Sequence, residues 1–206
     1  MKNFLRIFVA AAVVAVTLEA CCNRCEAVSG DEASEAVLDN IMTRTSIRAF
    51  TDQPVEEAKV EALLRADMAA PTAVNKQPWA FVVVREREQL DRLREAQPNA
   101  RMLATAQLAI VVCGDLEKAL EGAAQSYWVQ DTSAATENIL LAAHGLGLGA
   151  VWTGVYPMAE RVAAVSEALG LPSHVIPLNV IPIGYPDQSP EPKDKWNPTN
   201  VHYERW

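Results

Sequence analysis

The chain has 206 residues, a length that suits one domain with a substantial hydrophobic core. Half of the residues are hydrophobic and 21% are charged, which is typical of a folded protein rather than a disordered one. The formal net charge is −8. Because the sequence has no basic stripe to offset this acidity, it argues against a protein whose main partner is nucleic acid.

The first 20 residues have the pattern of a secretory signal. Lys2 and Arg6 precede an apolar run, 7–18, which is shorter than the roughly 20 residues that a membrane-spanning helix needs. Leu18-Glu19-Ala20-Cys21 is similar to a bacterial lipobox, with Glu19 unusual inside it. We therefore expect residues 1–20 to be a signal peptide and Cys21 to anchor an exported lipoprotein on the periplasmic or cell-surface side. Another cleaved signal and an uncleaved anchor are the alternatives.

A polar tether, 21–33, is expected to connect this signal to one folded domain, 34–206. Cys22 and Cys25 have the spacing of a metal or redox pair, but the sequence has no second pair or nearby histidine to complete such a site. We interpret them as part of the anchor and tether. Cys113 lies in a predicted strand, where we expect a small buried hydrophobe.

Hydrophobic periodicity predicts the elements of the first half of the domain. A helix over 34–43 carries Val37, Leu38, Ile41 and Met42 on one face. A second helix begins near Pro54 and buries Val60, Leu63, Leu64 and Met68. Pro71 and Pro78 prevent that helix from continuing into the next segment. A strand over 80–84, a charged helix over 87–96, a short helix over 101–106 and a strand over 108–113 follow.

The second half begins with the longest predicted helix, 125–144. Small residues at its centre, 131–136, let helix backbones approach closely, either at a subunit interface or inside one subunit. The glycines of 145–149 follow a helix and precede a strand, whereas a dinucleotide-binding fingerprint follows a strand, so we interpret them as a helix stop and turn. A strand over 150–153 and a helix over 158–169, stopped by Gly170, come next.

The last predicted strand, 175–184, contains Pro177 and Pro182, which require a free edge or irregular pairing. Residues 185–206 have no periodicity but contain Trp196, Tyr203 and Trp206, so we expect this tail to lie along another surface, such as a partner subunit. The alternation of helices and strands predicts an α+β fold, or α/β sandwich, around one sheet.

Two motifs together resemble the FMN-dependent nitroreductase family. The first is Arg44-x-Ser46-x-Arg48, and the second is Ala70-Pro71-Thr72-x-x-Asn75-x-Gln77-Pro78-Trp79. The resemblance extends over 37–206. It implies a mixed, mainly antiparallel sheet flanked by helices, in an intertwined homodimer with FMN sites at the subunit interface.

The resemblance also implies roles for the first motif. Arg44 and Ser46 match positions at the phosphate and ribityl chain of FMN, and Thr45 between them is also expected to bind the cofactor. Arg48 matches a basic position near the N1/O2 side of the ring, where a cation favours the anionic reduced flavin. The alternative is that both arginines are an ordinary solvated helix end.

Further basic residues match family positions. Lys193 and Lys195 correspond to a Lys-x-Arg pair at the phosphate. At the second position, the ammonium of Lys195 is a point charge, whereas the guanidinium of an arginine could bind two phosphate oxygens. Without the resemblance they would be ordinary surface charges. Arg101 matches a basic position near the ring.

The second motif matches a loop that the opposite subunit contributes to the flavin through Pro71, Thr72 and Ala73. Asn75 and Gln77 are expected to brace this loop or to touch the ring, and Trp79 is expected in the core. Trp152, Thr153 and Gly154 match the loop whose backbone donor faces flavin N5, although Trp152 suits the core equally well.

We expect neither a metal site nor a separate catalytic residue. His144, His174 and His202 show neither metal-ligand spacing nor a paired acid, and His144 suits a helix end. The sequence also lacks a Ser/His/Asp arrangement. This pattern is consistent with a cofactor that carries the chemistry.

The resulting hypothesis is an NAD(P)H oxidoreductase in which hydride passes through flavin N5 to a nitroaromatic, quinone or similar flat acceptor by a ping-pong scheme. One alternative is a flavin-fold enzyme of different chemistry, such as flavin cleavage, reductive dehalogenation or azoline oxidation. The other is an exported lipoprotein that binds flavin or another flat ligand without turnover, because nicotinamide cofactors are scarce outside the cytoplasm.

Overall fold

A single sheet of five strands occupies the centre of the fold in the computed structural model, which describes residues 31–206. Expectations for the signal peptide, Cys21, Cys22 and Cys25 lie outside the described residues. The strands are β1 (Trp79–Val84), β2 (Leu108–Asp115), β3 (Gly149–Ala150), β4 (Thr153–Gly154) and β5 (Val175–Gly184). The α-helices are α1 (Glu32–Thr43), α2 (Glu57–Asp67), α3 (Arg87–Ala96), α4 (Tyr127–Gly145) and α5 (Ala159–Leu169).

The sheet order is β1-β2-β5-β3, and β4 also pairs with β5. Every pair among these strands is antiparallel, so the predicted antiparallel character is confirmed. The resemblance also implied a mixed sheet, but residues 31–206 contain no parallel pair.

The two faces of the sheet pack against different helices. In β2, Ala109, Val111 and Cys113 lie in one core cluster with α3 and α5 residues. The alternate residues Leu108, Ile110 and Val112 lie in another, with α2 and α4 residues. Because side chains of a strand alternate between its two faces, the sheet lies between two layers of helices. This confirms the predicted α+β sandwich and the buried position of Cys113.

The two prolines of β5 interrupt its ladders, as the sequence predicted. The pairing with β2 shifts register between Val112 and Cys113, opposite Asn179 and Pro177. On the other side, β3 and β4 share one register along β5, which places Val151 opposite Pro182. Because proline has no N–H, the ladder breaks there, and the single strand predicted over 150–153 is divided into two.

Helix α2 buries a different stripe from the predicted one. Val60 and Leu63 are buried and Leu64 is half-buried, but Met68 is 53% exposed. The helix ends at Asp67, so Met68 lies beyond its last turn. Asp67, four residues after Leu63 on the same face, is fully buried instead.

The centre of helix α4 is buried within a single chain. Asp131, Thr132, Ala135 and Thr136 are all buried, so the small residues at its centre face the interior of the chain. The predicted turn after it is confirmed, because Gly147 has a φ of +72° and β3 follows.

Helix α1 is unusual because none of its residues is buried. Asp31 caps its start by accepting a hydrogen bond from Ser34 N–H, so the helix begins before residue 34 and shortens the expected tether. The apolar residues predicted on one face are all exposed in the single chain: Val37, Leu38, Ile41 and Met42. Within residues 31–206, no helix combines the length and apolarity needed to cross a bilayer.

Candidate functional site

A cavity of about 630 Å³ opens beside the C-terminal end of α1. Its lining includes six residues that the sequence predicted as a site: Arg44, Thr45, Ser46, Arg48, Lys193 and Lys195. Apolar side chains of Ile41, Met42 and Trp196 complete much of the remaining wall. Two segments from opposite ends of the described chain therefore form one site.

The cavity is cationic in a protein that is acidic overall. Four basic side chains line it, and Glu191 and Asp194 are the acidic lining residues. This local excess of positive charge contrasts with the net charge of −8 for the whole chain. Such a concentration of cations in a concave surface attracts an anionic group.

Arg44 is oriented by an ion pair with α4. Its Nε lies 3.3 Å from Oε1 of Glu137, and its side chain is only 19% exposed. Because this contact uses Nε, the two terminal nitrogens are not consumed by it and form a fork that suits phosphate oxygens. Arg48, by contrast, is exposed and makes a long 3.5 Å contact from Nη1 to the carbonyl of Ser46.

Backbone pairing holds the two walls of the cavity together. Thr51 N–H donates to the carbonyl of Tyr185, and Asp187 N–H donates to the carbonyl of Ala49, both at 2.9 Å. Phe50 and Pro186 form a β-bridge between these bonds. The segments 49–51 and 185–187 therefore form a short backbone-paired unit, and both lining segments extend from it.

Ile47 fastens the first lining segment to the sheet. Its N–H donates to the carbonyl of Ala150 at 3.0 Å, and its side chain is buried. A Cβ at Gly149 would lie 2.6 Å from the Ile47 side chain, so glycine is required for this close approach.

The loop at 71–77 is braced internally and does not line this cavity within the single chain. Gln77 Nε2 donates to Asn75 Oδ1 at 3.1 Å, and Gln77 N–H donates to the Thr72 hydroxyl at 3.1 Å. These contacts brace the loop, which is one of the two roles predicted for Asn75 and Gln77. Thr72 and Ala73 are half-buried, and Pro71 is exposed.

Three residues of this loop hold left-handed backbone conformations. Val74, Asn75 and Gln77 have φ values of 47°, 55° and 51°. Such conformations are uncommon outside glycine, particularly for β-branched valine, and they cluster at functional sites. Asp131 on α4 stabilises the loop, because its Oδ1 accepts the Ala73 N–H at 2.8 Å.

Four other predicted residues lie elsewhere. Thr153 is buried and donates its hydroxyl to the Val180 carbonyl, while the Gly154 carbonyl accepts a bond from Gln97. Trp152, between β3 and β4, is 36% exposed, so its predicted core alternative is wrong. Arg101 is exposed at the start of a short helix, Arg101–Ala104, and does not line the cavity.

One histidine has an acidic neighbour that the sequence did not predict. His174 Nδ1 lies 3.6 Å from Oε1 of Glu117, and both adjoin Asp115. Lys118 Nζ lies 2.9 Å from Asp115 Oδ2. Although burial opposes ionisation, the hydrogen bond and charge of Lys118 lower the pKa of Asp115. The lysine supplies the balancing cation, so this group forms a surface ionic cluster. His144 lies in the last turn of α4, as predicted.

Comparisons with known proteins identify the family of the chain. The model of the Nitroreductase family matches residues 41–98 and 95–185. A Methanothermobacter thermautotrophicus protein with the provisional name NADH dehydrogenase/NAD(P)H nitroreductase is 46% identical over 181 residues, which cover 87% of this chain and 92% of that protein.

Solved structures agree with the sequence match. A Parabacteroides distasonis protein of the same provisional name superposes with a TM-score of 0.79 and 47% identity, over 83% of this chain and 99% of the other. A provisionally named nitroreductase from Desulfovibrio desulfuricans, crystallised in complex with FMN, gives a TM-score of 0.71 and 30% identity over 82% and 97% of the two chains. On the evidence of fold, motifs and family match, the chain belongs to the nitroreductase family.

Proposed function

We propose that this protein is an FMN-dependent oxidoreductase of the nitroreductase type, taking hydride from NAD(P)H and passing it to a nitroaromatic, quinone or similar acceptor. The cationic cavity at Arg44, Ser46 and Lys193 is the observation that carries the proposal. It forms in a chain whose D. desulfuricans relative was crystallised with FMN and whose M. thermautotrophicus relative bears an NAD(P)H nitroreductase name.

The residues of the cavity fit the phosphate of FMN. A phosphate monoester carries up to two negative charges, and the lining has two more basic than acidic side chains. Arg44 offers a guanidinium fork, Ser46 a hydroxyl donor, and Lys193 and Lys195 point charges. Together they supply the charge and the donors that a phosphate needs when it leaves water.

The remaining residues would bind and orient the other parts of the cofactor. When bound, FMN would supply the chemistry of accepting and donating hydride. The Arg48 guanidinium would stabilise negative charge near it, and the braced loop at 71–77 would offer hydroxyl, amide and backbone groups. Because the cofactor carries the chemistry, the chain itself needs to bind, orient and exclude water rather than supply a nucleophile.

A second copy of the chain is part of this proposal. Val37 and Met42 on α1 are 60% and 67% exposed, and Trp196, Tyr203 and Trp206 of the tail are exposed as well. Met42 and Trp196 also line the cavity, so a partner that covered the α1 face would close the cavity too. A homodimer would also bring the partner's loop at 71–77 to a site that lacks it in the single chain.

We further propose that the enzyme is exported and tethered through Cys21. The positive start, the apolar run over 7–18 and the small residue before the cysteine support this localisation. The same export pattern favours a second candidate function, a tethered flavin-binding protein without NAD(P)H turnover.

Steady-state kinetics separate these candidates. Under anaerobic conditions, NADH or NADPH is varied against a nitroaromatic and, separately, a quinone. The proposed function predicts acceptor-dependent oxidation of the nicotinamide with parallel double-reciprocal lines, as expected of a ping-pong scheme. If bound FMN is not reduced by either nicotinamide, the oxidoreductase proposal is wrong and the binding function is favoured.

A further inference from the structure

Three side chains outside the cavity lining form a hydrogen-bonded group. Lys59 Nζ donates to the Tyr185 hydroxyl at 2.8 Å and to the carbonyl of Leu146 at 3.0 Å. The Tyr185 hydroxyl in turn lies 2.8 Å from both carboxylate oxygens of Glu56, to which it donates its one proton. We name Glu56, Lys59 and Tyr185 the latch.

The latch joins three parts of the fold that are distant in sequence. Glu56 and Lys59 lie at the start of α2, and Leu146 follows α4. Tyr185 immediately follows β5 and begins the segment that continues to Lys193. The hydrogen bond to Tyr185 raises the pKa of Lys59, which favours the charged form of the lysine in this geometry.

The latch includes Tyr185, which belongs to the paired segments 49–51 and 185–187 from which both cavity walls extend. The Tyr185 carbonyl accepts the Thr51 N–H, and Phe50 forms a bridge with Pro186. Arg48 lies two residues before that bridge, and Pro190, the first lining residue of the other wall, lies four residues after it. The wall at 44–48 is also held by the bond from Ile47 N–H to Ala150, so a shift of Tyr185 relative to α2 moves the wall at 190–196 relative to it. The loop at 71–77 has its own attachment to Asp131.

We propose that Tyr185 is a positioning residue that, through Glu56 and Lys59, sets the spacing of the cationic walls and thereby the affinity for the phosphate of the flavin. This inference rests on the proposed function. It assigns to the three side chains a role in ligand affinity. The exposed contact between Tyr185 and Glu56 is expected to contribute little to the free energy of unfolding.

The test compares FMN with riboflavin, which has the same ring and ribityl chain but no phosphate. Flavin-free wild type, Tyr185→Phe and Glu56→Ala are titrated with each ligand by the quenching of flavin fluorescence. Glu61→Ala is the matched control, because Glu61 makes an exposed polar contact on the same helix, to Arg65 at 2.7 Å. Unfolding temperatures of the flavin-free proteins are measured in parallel.

We expect Tyr185→Phe and Glu56→Ala to raise the Kd for FMN by about three- to tenfold, the range of one hydrogen bond, while the Kd for riboflavin changes by less than about twofold. Glu61→Ala should resemble wild type. Unchanged FMN affinity in both latch variants would overturn the inference. Equal losses for the two flavins, or a loss explained by a lower unfolding temperature, would overturn it too. If wild type binds no FMN, the proposed function itself fails, and this inference with it.

Discussion

Arg44 and Lys193 line the same cavity although they come from opposite ends of the described chain. The pairing of 49–51 with 185–187 brings them together, and Glu137 holds Arg44 from α4. The anion site therefore depends on long-range pairing as well as on the local Arg-x-Ser-x-Arg motif. This arrangement also indicates that the two cations contribute unequally, because within residues 31–206 Arg44 is held by an ion pair and Lys193 is not.

We expect Arg44→Ala to weaken FMN binding about ten- to hundredfold, since a hydrogen bond to a charged group contributes roughly 1.5–3 kcal/mol. Lys193→Ala should cost less, because an exposed lysine offers one point charge from a flexible side chain. Flavin fluorescence titration measures both, with Arg65→Ala as a surface arginine control. Equal or reversed effects of Arg44 and Lys193 would show that the phosphate is assigned to the wrong groups.

The anchor of the 71–77 loop should affect the ring rather than the phosphate. Asp131→Ala removes the acceptor for Ala73 N–H, so we expect similar losses of affinity for FMN and riboflavin. Asp131→Asn retains an oxygen acceptor and serves as the matched control. A loss confined to FMN would contradict the assignment of this loop to the ring.

Asp67 makes stability depend on pH. Its carboxyl is fully buried without a hydrogen-bond partner among the described residues, and burial raises its pKa to about 8. Since the unfolded pKa is lower, at 3.8, the folded state holds the extra proton between these values. The contribution to stability is complete below the unfolded pKa and is lost as pH rises through the folded pKa.

Asp67→Asn should therefore match wild type most closely near pH 4 and exceed it increasingly toward pH 8. Each kcal/mol corresponds to about 2–4 °C in the unfolding temperature of a domain of this size. Asp52→Asn, at an exposed aspartate, is the control. A difference between Asp67→Asn and wild type that stays constant from pH 4 to pH 8 would rule out a buried, protonated carboxyl.

The exposed face of α1 should be a subunit contact. Leu38→Glu places a charge on a residue that is 49% exposed in the single chain and lies outside the cavity lining. We expect light scattering to show that this variant is a monomer. We also expect the monomer to lose its bound flavin. Val83→Glu, at an exposed position on β1, is the control.

Truncation after Pro186 should produce the same two losses, but it also removes Lys193 and Lys195. Leu38→Glu therefore separates the dimer from the cations. A monomer of Leu38→Glu that keeps its full complement of FMN would refute a shared site.

Lipidation at Cys21 predicts that Cys21→Ser accumulates as an unprocessed precursor without lipid label. Cys25→Ser, which lies beyond the lipobox-like segment, should be processed normally. Mass spectrometry of the membrane fraction reports both outcomes. An unmodified N-terminus at Met1 in the wild-type protein would contradict the tether and remove the main argument for a binding function without turnover.

Local patterns in the sequence predicted most of the helices and strands, and the resemblance to the nitroreductase family indicated six residues of the cavity. They did not predict features that depend on distant contacts. The carboxylate of Asp131 bonds to a loop 58 residues away, and nothing in its helical surroundings indicates that partner. Similarly, the division between β3 and β4 depends on Pro182, which belongs to another strand, and the burial of Asp67 depends on where α2 ends.

The visible spectrum of the purified protein, recorded before and after anaerobic addition of NADPH, tests the central claim most directly. Our account predicts a yellow protein with about one non-covalent FMN per subunit, whose flavin absorbance bleaches on reduction. A colourless protein that fails to bind FMN at micromolar concentration would contradict it. A yellow protein that NADPH does not bleach would retain the cofactor site but refute the oxidoreductase function.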